Sequence, residues 1–238
     1  MVPRAAVVLS GAVDGVATGP DALTSDSERL KRIGRKVRAR LDRNKAVRRI
    51  AVDNAEMWAV PRFLDGVTCG RLMTIIEGVA QPSTIHDVEY ARIRSSYSGD
   101  VDPADPFIRA LQQRIDDLFG IEPACGETIQ GQRYRPGQEF LPHTDWFWPG
   151  SPAWDNEMPR GGQRSYTAMV FLNDVEAGGE TEFTELGIAV TPRAGTLLAW
   201  NNADPDGVPN EWTIHAGRPV TRGVKYIITK WYRTRPFR

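Results

Sequence analysis

Apolar residues recur at helical spacing in three segments of the first half of the chain. Residues 25–28 are predicted to open a helix, because Ser25 and Glu28 have the spacing of a capping box. The apolar stripe of this helix consists of Leu30, Ile33, Val37 and Leu41. The same spacing predicts helices over residues 69–79 and 106–119, which we expect to cover one face of a sheet.

From about residue 124 the pattern changes to short apolar or alternating runs separated by glycine and proline. These runs predict strands at residues 166–173, 180–184, 188–190, 196–200 and 224–232. An earlier strand lies within residues 51–63, where Trp58 and Val60 occupy alternate positions. Short strands with this punctuation are typical of a β-sandwich or jelly roll.

The overall charge is balanced, but its distribution is not. Lys and Arg number 30 and Asp and Glu number 30, so no global field favours nucleic acid or a membrane surface. Residues 28–49, however, contain eleven Lys or Arg and two Asp or Glu. This segment is either a basic arm for an acidic partner or nucleic acid, or a helix whose apolar stripe packs on the domain. We favour the packing helix.

The cysteine content and the hydropathy both bear on location. Cys69 and Cys125 form no Cys-x-x-Cys motif and indicate no disulfide framework. Free thiols are typical of reducing compartments. No run approaches the ~20 apolar residues of a transmembrane helix. We therefore expect a cytoplasmic protein without a membrane partner.

Two of the three histidines stand in a pattern typical of a metal site. His143 precedes Asp145 by two positions, and alternate residues of a strand project to the same face. His215 follows 72 residues after His143. Two imidazoles and a carboxylate form the facial triad that holds non-haem Fe(II) and leaves coordination positions open. We therefore predict a metal site at these three residues, with His86 outside it.

A cation stands near this pattern in the sequence. Lys225 lies ten residues after His215, at the start of the predicted strand 224–232. Alternation places it on the same face as Ile227, Thr229 and Trp231. Lys225 is either a solvated strand residue or a cation that faces the interior of the sheet structure.

Several motifs resemble those of the 2-oxoglutarate and Fe(II)-dependent dioxygenases, specifically the prolyl 4-hydroxylase branch. They are residues 132–145 (QRYRPGQEFLPHTD), 178–183 (GGETEF), 215–220 (HAGRPV), 223–225 (GVK) and 230–231 (KW). A fainter likeness extends back to residues 58–64 and 94–96.

The resemblance implies a mainly β fold with supporting helices. Its core would be a double-stranded β-helix, or jelly roll, over residues 124–238, preceded by an α/β N-terminal segment. Residues 25–123 would supply the basic helix and the helical support, with 51–123 joined to the core in one domain. Residues 1–24 are expected to form a disordered tail.

The resemblance also implies a cofactor set and roles for single residues. Fe(II), 2-oxoglutarate and O2 would be bound, with ascorbate as reductant, and 2-oxoglutarate would be decarboxylated to succinate and CO2. Tyr134 and Thr181 would donate hydroxyl groups to 2-oxoglutarate, and Lys225 would pair with its distal carboxylate. Arg164 and Trp231 would contact the substrate.

One metal-site residue bears on the reaction, and three departures from the family pattern bear on the substrate. A carboxylate at Asp145 favours hydroxylation, because halogenating relatives have a small residue there. Phe140 and Phe171 replace tyrosines, and Arg233 stands where a histidine occurs in some members. These departures concern how the substrate binds.

The sequence leaves more than one class of substrate open. A Trp-rich segment at residues 146–154 is either an aromatic wall for a proline-rich chain or a hydrophobic plug. The leading hypothesis is hydroxylation of peptidyl proline. The alternatives are a hydroxylase of a free amino acid or other small molecule, a non-catalytic binding module, and an oxidative demethylase of nucleic acid. The sequence does not indicate an oligomeric state.

Overall fold

The computed structural model describes residues 20–83, 94–148 and 151–238. Most of the predicted tail, and His86, lie outside these residues. The helices are α1 (Pro20–Arg43), α2 (Gly66–Val79), α3 (Pro106–Phe119) and α4 (Pro152–Gly161). The side chains of Asp65, Asp105 and Ser151 cap α2, α3 and α4 by accepting a hydrogen bond from a backbone N–H of the first turn.

The start of α1 differs from the sequence prediction. The helix begins at Pro20, five residues before the predicted start, so Ser25 lies inside it. Proline is favoured in the first turn, where its missing N–H would have no partner in any case. The helix ends at Arg43 because the Asn44 side chain accepts a hydrogen bond from the Ala46 N–H (3.0 Å) and turns the chain.

No helix in the described ranges is both long and apolar enough to cross a bilayer.

The described strands form two main sheets, as a jelly roll requires. They are β1 (Arg48–Arg49), β2 (Met57–Val60), β3 (Gln81–Pro82), β4 (Tyr97–Asp100), β5 (Gln130–Tyr134), β6 (Phe140–His143), β7 (Arg164–Phe171), β8 (Ala177–Gly178), β9 (Thr181–Phe183), β10 (Ile188–Val190), β11 (Leu197–Asn201), β12 (His215–Gly217), β13 (Val220–Arg222) and β14 (Lys225–Arg233). The large sheet has the order β1-β2-β11-β7-β14-β5-β4-β3, and the small sheet has the order β10-β9-β12-β6. β8 and β13 pair separately. The predicted fold class, a jelly roll with supporting helices, is confirmed.

The large sheet is apolar on both faces, and the alternation along its strands separates two cores. In β7, Tyr166, Ala168 and Val170 pack in the cluster that contains the helices, while Met169 and Phe171 pack in the cluster between the sheets. β11 alternates in the same way. The space between the two sheets is therefore a second core, and the candidate site lies at its edge.

The basic helix α1 packs most of its apolar stripe on the first core, the cluster that contains the helices. Leu30, Val37 and Leu41 are buried, and Ile33 packs partly buried against the same cluster as Val37. The arginines and lysines of the remaining faces include exposed residues such as Arg32. This packing supports the interpretation of α1 as a structural helix.

A buried ion pair joins α3 to the centre of the large sheet. The Asp116 carboxylate accepts hydrogen bonds from Lys230 Nζ and Tyr232 Oη, each at 2.6 Å. The side chains of Lys230 and Asp116 are 2% and 4% exposed. Breaking such a pair leaves an uncompensated charge in the core.

We expect Asp116→Ala to lower the free energy of unfolding by about 3–5 kcal/mol, because Lys230 would stay buried without its partner. Asp117→Ala is the matched control, since Asp117 is the exposed neighbour on the same helix. Its effect should stay within about 0.5 kcal/mol. Urea denaturation of both variants checks the prediction, and equal losses would contradict it.

Candidate active site

Strand pairing brings the two candidate imidazoles together. β6 and β12 are antiparallel neighbours, and His143 lies directly opposite His215 in their register. The ring centroids are 4.3 Å apart. The strand ends at His143, however, so Asp145 lies in the bend that follows and not on the strand as predicted. The structure still brings all three residues together, with ligand atoms within 4.8 Å of one another.

Backbone carbonyls fix the orientation of both imidazole rings. His143 Nδ1 lies 2.9 Å from the Leu141 carbonyl oxygen, and His215 Nδ1 lies 3.0 Å from that of Thr213. A carbonyl oxygen can only accept, so each Nδ1 carries the proton and donates it. Each Nε2 is therefore left with a free lone pair. This is the arrangement that metal-binding histidines commonly show.

A chain of hydrogen bonds holds the third candidate ligand. Thr167 Oγ1 donates to Asp145 Oδ2 at 2.6 Å, and Asn202 Nδ2 donates to Thr167 Oγ1 at 3.0 Å. Burial alone would raise the pKa of Asp145, but His215, Arg164 and the Thr167 hydrogen bond together hold that pKa below its usual value. The carboxylate is therefore ionised and oriented at neutral pH.

Aromatic rings enclose the two histidines. Phe140 stacks on His143 with a centroid distance of 3.5 Å and an interplanar angle of 15°. Trp200 meets His215 edge-on at 4.9 Å. Burial and the neighbouring His215 lower the pKa of His143 to about 3, so its imidazole is neutral at physiological pH. A neutral imidazole is the form that binds a metal. Phe140, one of the departures from the family pattern, thus forms part of the wall around a candidate ligand.

Lys225 lies between the two sheets, as the interior interpretation expects. It stands opposite Tyr134 in the β5–β14 register, is 1% exposed, and its Nζ lies 3.3 Å from Thr181 Oγ1. Among the described residues, no carboxylate lies within 4.0 Å of its Nζ. Burial lowers the pKa of Lys225 to about 7, although the more distant Glu180 opposes the shift. A buried ammonium group with a hydroxyl beside it fits an anionic ligand.

The three residues proposed for one cosubstrate lie close together. Tyr134 is buried, and Lys225 Nζ lies 5.3 Å from the centre of its ring. The Tyr134 hydroxyl donates to Gln132 Oε1 at 2.9 Å. The Arg94 side chain also forms a hydrogen bond with Tyr134, so the hydroxyl is held from two sides.

The predicted substrate residues Arg164 and Trp231 lie beside the metal site. The Arg164 guanidinium carbon lies 4.1 Å from the centre of the Trp231 ring. Arg164 Nη1 lies 4.0 Å from Asp145 Oδ1. Its Nε and Nη2 donate to the two carboxylate oxygens of Glu127 at 2.7 and 2.8 Å. The Arg164 plane is therefore fixed by a fork of two charge-assisted hydrogen bonds.

Several residues of the site were not predicted from the sequence, among them Glu127, Thr167 and Asn202. Thr167 could have been found, because alternation along the predicted strand 166–173 places it on the inner face. Glu127 and Asn202 carry no motif, and only the tertiary structure brings them to the site.

The Trp-rich segment is largely packed. Trp146 and Trp154 are each 8% exposed, and Trp146 packs with Leu30 and Ala203. These two residues support the plug interpretation. Trp148 is 43% exposed and is the one tryptophan of this segment that could contact a partner directly. Residues 149–150 of the segment lie outside the described ranges, and residues from Pro152 onward form α4.

Known proteins resemble this chain in sequence and in structure. A family model described as the 2OG-Fe(II) oxygenase superfamily matches residues 129–233. Prolyl 4-hydroxylase subunit alpha-1 of Gallus gallus is 31% identical, with 77% of this chain and 38% of the relative covered. Probable prolyl 4-hydroxylase 3 of Arabidopsis thaliana is also 31% identical, with 71% of this chain and 66% of the relative covered. The chain thus spans well under half of the chicken relative's length.

Two solved structures that superpose on this chain are also of prolyl hydroxylases. The viral collagen prolyl hydroxylase of Paramecium Bursaria Chlorella virus-1, in its 2OG complex, superposes with a TM-score of 0.57 at 27% identity, covering 80% of this chain and 97% of that chain. A Trichoplax adhaerens prolyl hydroxylase superposes with a TM-score of 0.55 at 17% identity, covering 89% of this chain and 93% of that chain, which supports the fold alone.

The matched region, residues 129–233, contains the three candidate metal ligands and Lys225. Together with the relatives at 31% identity, this match shows that the chain belongs to the 2OG-Fe(II) oxygenase superfamily, in its prolyl 4-hydroxylase-like branch.

Proposed function

We propose that this protein is a 2-oxoglutarate and Fe(II)-dependent dioxygenase that hydroxylates peptidyl proline and releases succinate and CO2. The observation that carries the proposal is that two polar centres lie on the facing sheets of the jelly roll. His143, Asp145 and His215 offer a metal-binding triad, and Lys225 offers a buried cation without an ion-pair partner in the described chain.

The donor set fits Fe(II). Two neutral imidazoles and one ionised carboxylate match the facial triad, and each ligand is oriented by a hydrogen bond of its own. Fe(II) and 2-oxoglutarate, when bound, supply the oxidative decarboxylation that is coupled to C–H hydroxylation. The residues of the chain hold the metal, orient the reactants and keep water away from the site.

The second centre fits the distal carboxylate of 2-oxoglutarate. Lys225 would pair with it, and Thr181 and Tyr134 would contribute hydroxyl groups. A charge pair at ~4 Å is worth about 4 kcal/mol at an effective dielectric constant near 20, but about 1 kcal/mol in water. The buried position of Lys225 therefore makes the pair effective.

Peptidyl proline is the substrate that the relatives favour, because both sequence relatives are named prolyl 4-hydroxylases. Arg164 and Trp231 stack beside Asp145, where they could contact a peptide. A free amino acid or another small molecule is the alternative substrate for the same chemistry. Use of ascorbate, a cytoplasmic location and the absence of a nucleic-acid partner stay predictions from the sequence.

The test of the proposal is mass spectrometry of proline-containing peptides and of free proline after incubation with enzyme, Fe(II), ascorbate and 2-oxoglutarate. A peptide that gains one oxygen atom at proline with wild type, and none with His143→Ala, is the expected result. Succinate without peptide oxidation would contradict the substrate and leave the cofactor chemistry in place. A metal-loaded sample that forms neither product would contradict the whole proposal.

Two substitutions at the metal site should weaken metal binding to different extents. Asp145→Ala should abolish metal binding and turnover, because it removes one of the three ligands. Thr167→Val should weaken metal affinity by roughly tenfold, because it releases the ligand carboxylate from its orienting hydrogen bond. Competition with a metal chelator measures the affinity. Circular dichroism checks that both variants fold, and unchanged metal affinity in Asp145→Ala would contradict the assignment.

The lowered pKa of Lys225 predicts that the affinity for 2-oxoglutarate depends on pH. Its pKa of about 7 means that the free protein holds a protonated Lys225 below this pH and a neutral one above it. A bound carboxylate favours the ammonium form and raises the pKa, so binding above pH 7 must take up a proton. The affinity should therefore fall as pH rises through and above about 7.

Calorimetry at pH 8 in buffers of different ionisation enthalpy should report uptake of nearly one proton per 2-oxoglutarate. Lys225→Met should bind more weakly and take up none. Uptake of the same number of protons by both proteins would return Lys225 to a structural role.

A further inference from the structure

Five charges of alternating sign, each buried or partly buried, lead from the metal site to helix α4. Asp145, Arg164, Glu127, Arg233 and Glu157 are linked in that order. The Arg233 guanidinium, 1% exposed, contacts Glu127 through Nε and Glu157 through Nη2. The two ends of the chain are therefore a candidate metal ligand and a side chain on α4.

Arg233 also binds the C-terminal end of α4. Its Nη1 donates to the Gly162 carbonyl oxygen at 2.9 Å. A Cβ atom at Gly161 would lie 3.1 Å from Arg233 Cγ, so the helix end packs closely on this side chain. A histidine, which has two ring nitrogens, could not contact both carboxylates and this carbonyl at once. The departure at position 233 thus supplies the link to α4.

The two ends of the segment that contains α4 are also joined to each other beside the site. Phe147 follows Asp145 by two positions, and its backbone N–H and carbonyl are both held by the Gln163 side chain. The Phe147 ring lies between two guanidinium groups, 5.0 Å from that of Arg164 and 4.6 Å from that of Arg233. The segment from residue 147 to residue 163, which includes α4, therefore begins and ends beside the charged residues that surround Arg164.

Because Arg164 and Arg233 share Glu127, a change on α4 would alter how firmly Arg164 is held. Both arginines contact Glu127 Oε1. The Glu157 carboxylate supplies part of the negative charge around Arg233. Arg233 and Arg160 hold the pKa of Glu157 low despite its burial, so it is ionised at neutral pH. Without that charge, Arg233 would draw Glu127 toward itself and loosen the fork that fixes Arg164.

We propose that Glu157 is a positioning residue that acts through Arg233 and Glu127. It fixes the Arg164 guanidinium beside the metal site, in the orientation that contacts the substrate. The inference rests on the proposed function, in which Arg164 contacts the peptide. It assigns α4 and its charge link a role in substrate affinity, and none in binding 2-oxoglutarate.

The test compares Glu157→Gln with Asp155→Asn, an exposed carboxylate on the same helix. Each protein is loaded with Zn(II), which has no redox chemistry, and with 2-oxoglutarate, and is titrated with fluorescein-labelled decaproline. We expect Glu157→Gln to weaken peptide binding about tenfold or more, since small displacements of a positioning group have large effects. The affinity for 2-oxoglutarate should not change, and Asp155→Asn should match wild type.

Hydrogen exchange gives a readout that needs no peptide. Glu157→Gln should speed exchange at residues 144–147 and 163–167, and Asp155→Asn should not. Faster exchange confined to α4, or unchanged peptide affinity in Glu157→Gln, would overturn the inference and leave a purely structural pair. If wild type itself does not bind decaproline, the peptide substrate is contradicted, and the exchange pattern still decides whether Glu157 positions Arg164.

Discussion

The burial of an ammonium group between two β-sheets is the constraint on which the account of the site depends. Lys225 is 1% exposed, and among the described residues its Nζ has a hydroxyl neighbour, Thr181, but no carboxylate within ion-pair distance. Such a charge is costly unless a partner compensates for it. By contrast, Lys230 on the opposite face of the same strand has Asp116 as its partner. Two buried lysines of one strand therefore differ in role, one stabilising the fold and the other fitted to an anion.

Strand register connects this cation to the metal site. β14 and β5 place Lys225 opposite Tyr134, and β12 and β6 place His215 opposite His143. β9 pairs with β12 and carries Thr181. The two polar centres thus belong to facing sheets of one jelly roll, with apolar side chains such as Phe171 and Phe183 in the core between the sheets. This arrangement suits a ligand with a metal-binding end and an anionic end, as in 2-oxoglutarate.

Features with a short sequence period could be predicted, and features set by tertiary contacts could not. Alternation along residues 224–232 placed Lys225 and Trp231 on one face, and helical spacing identified the stripe of α1, because both patterns reflect burial. The predicted start of α1 was wrong, because the helix already begins at Pro20, which the first turn of a helix accepts. The turn after His143 also removed Asp145 from the strand without separating it from the histidines. Glu127 and Glu157 join residues far apart in sequence, so no local pattern could indicate them.

The most direct test of the account is the preference for a distal carboxylate, measured by calorimetry on the metal-loaded protein without O2. 2-Oxobutyrate shares the 2-oxo acid end of 2-oxoglutarate but lacks the second carboxylate. The account predicts that wild type binds 2-oxoglutarate much more tightly than 2-oxobutyrate, and that Lys225→Met binds both alike. A preference that survives unchanged in Lys225→Met would contradict the assignment of this buried cation to the cosubstrate.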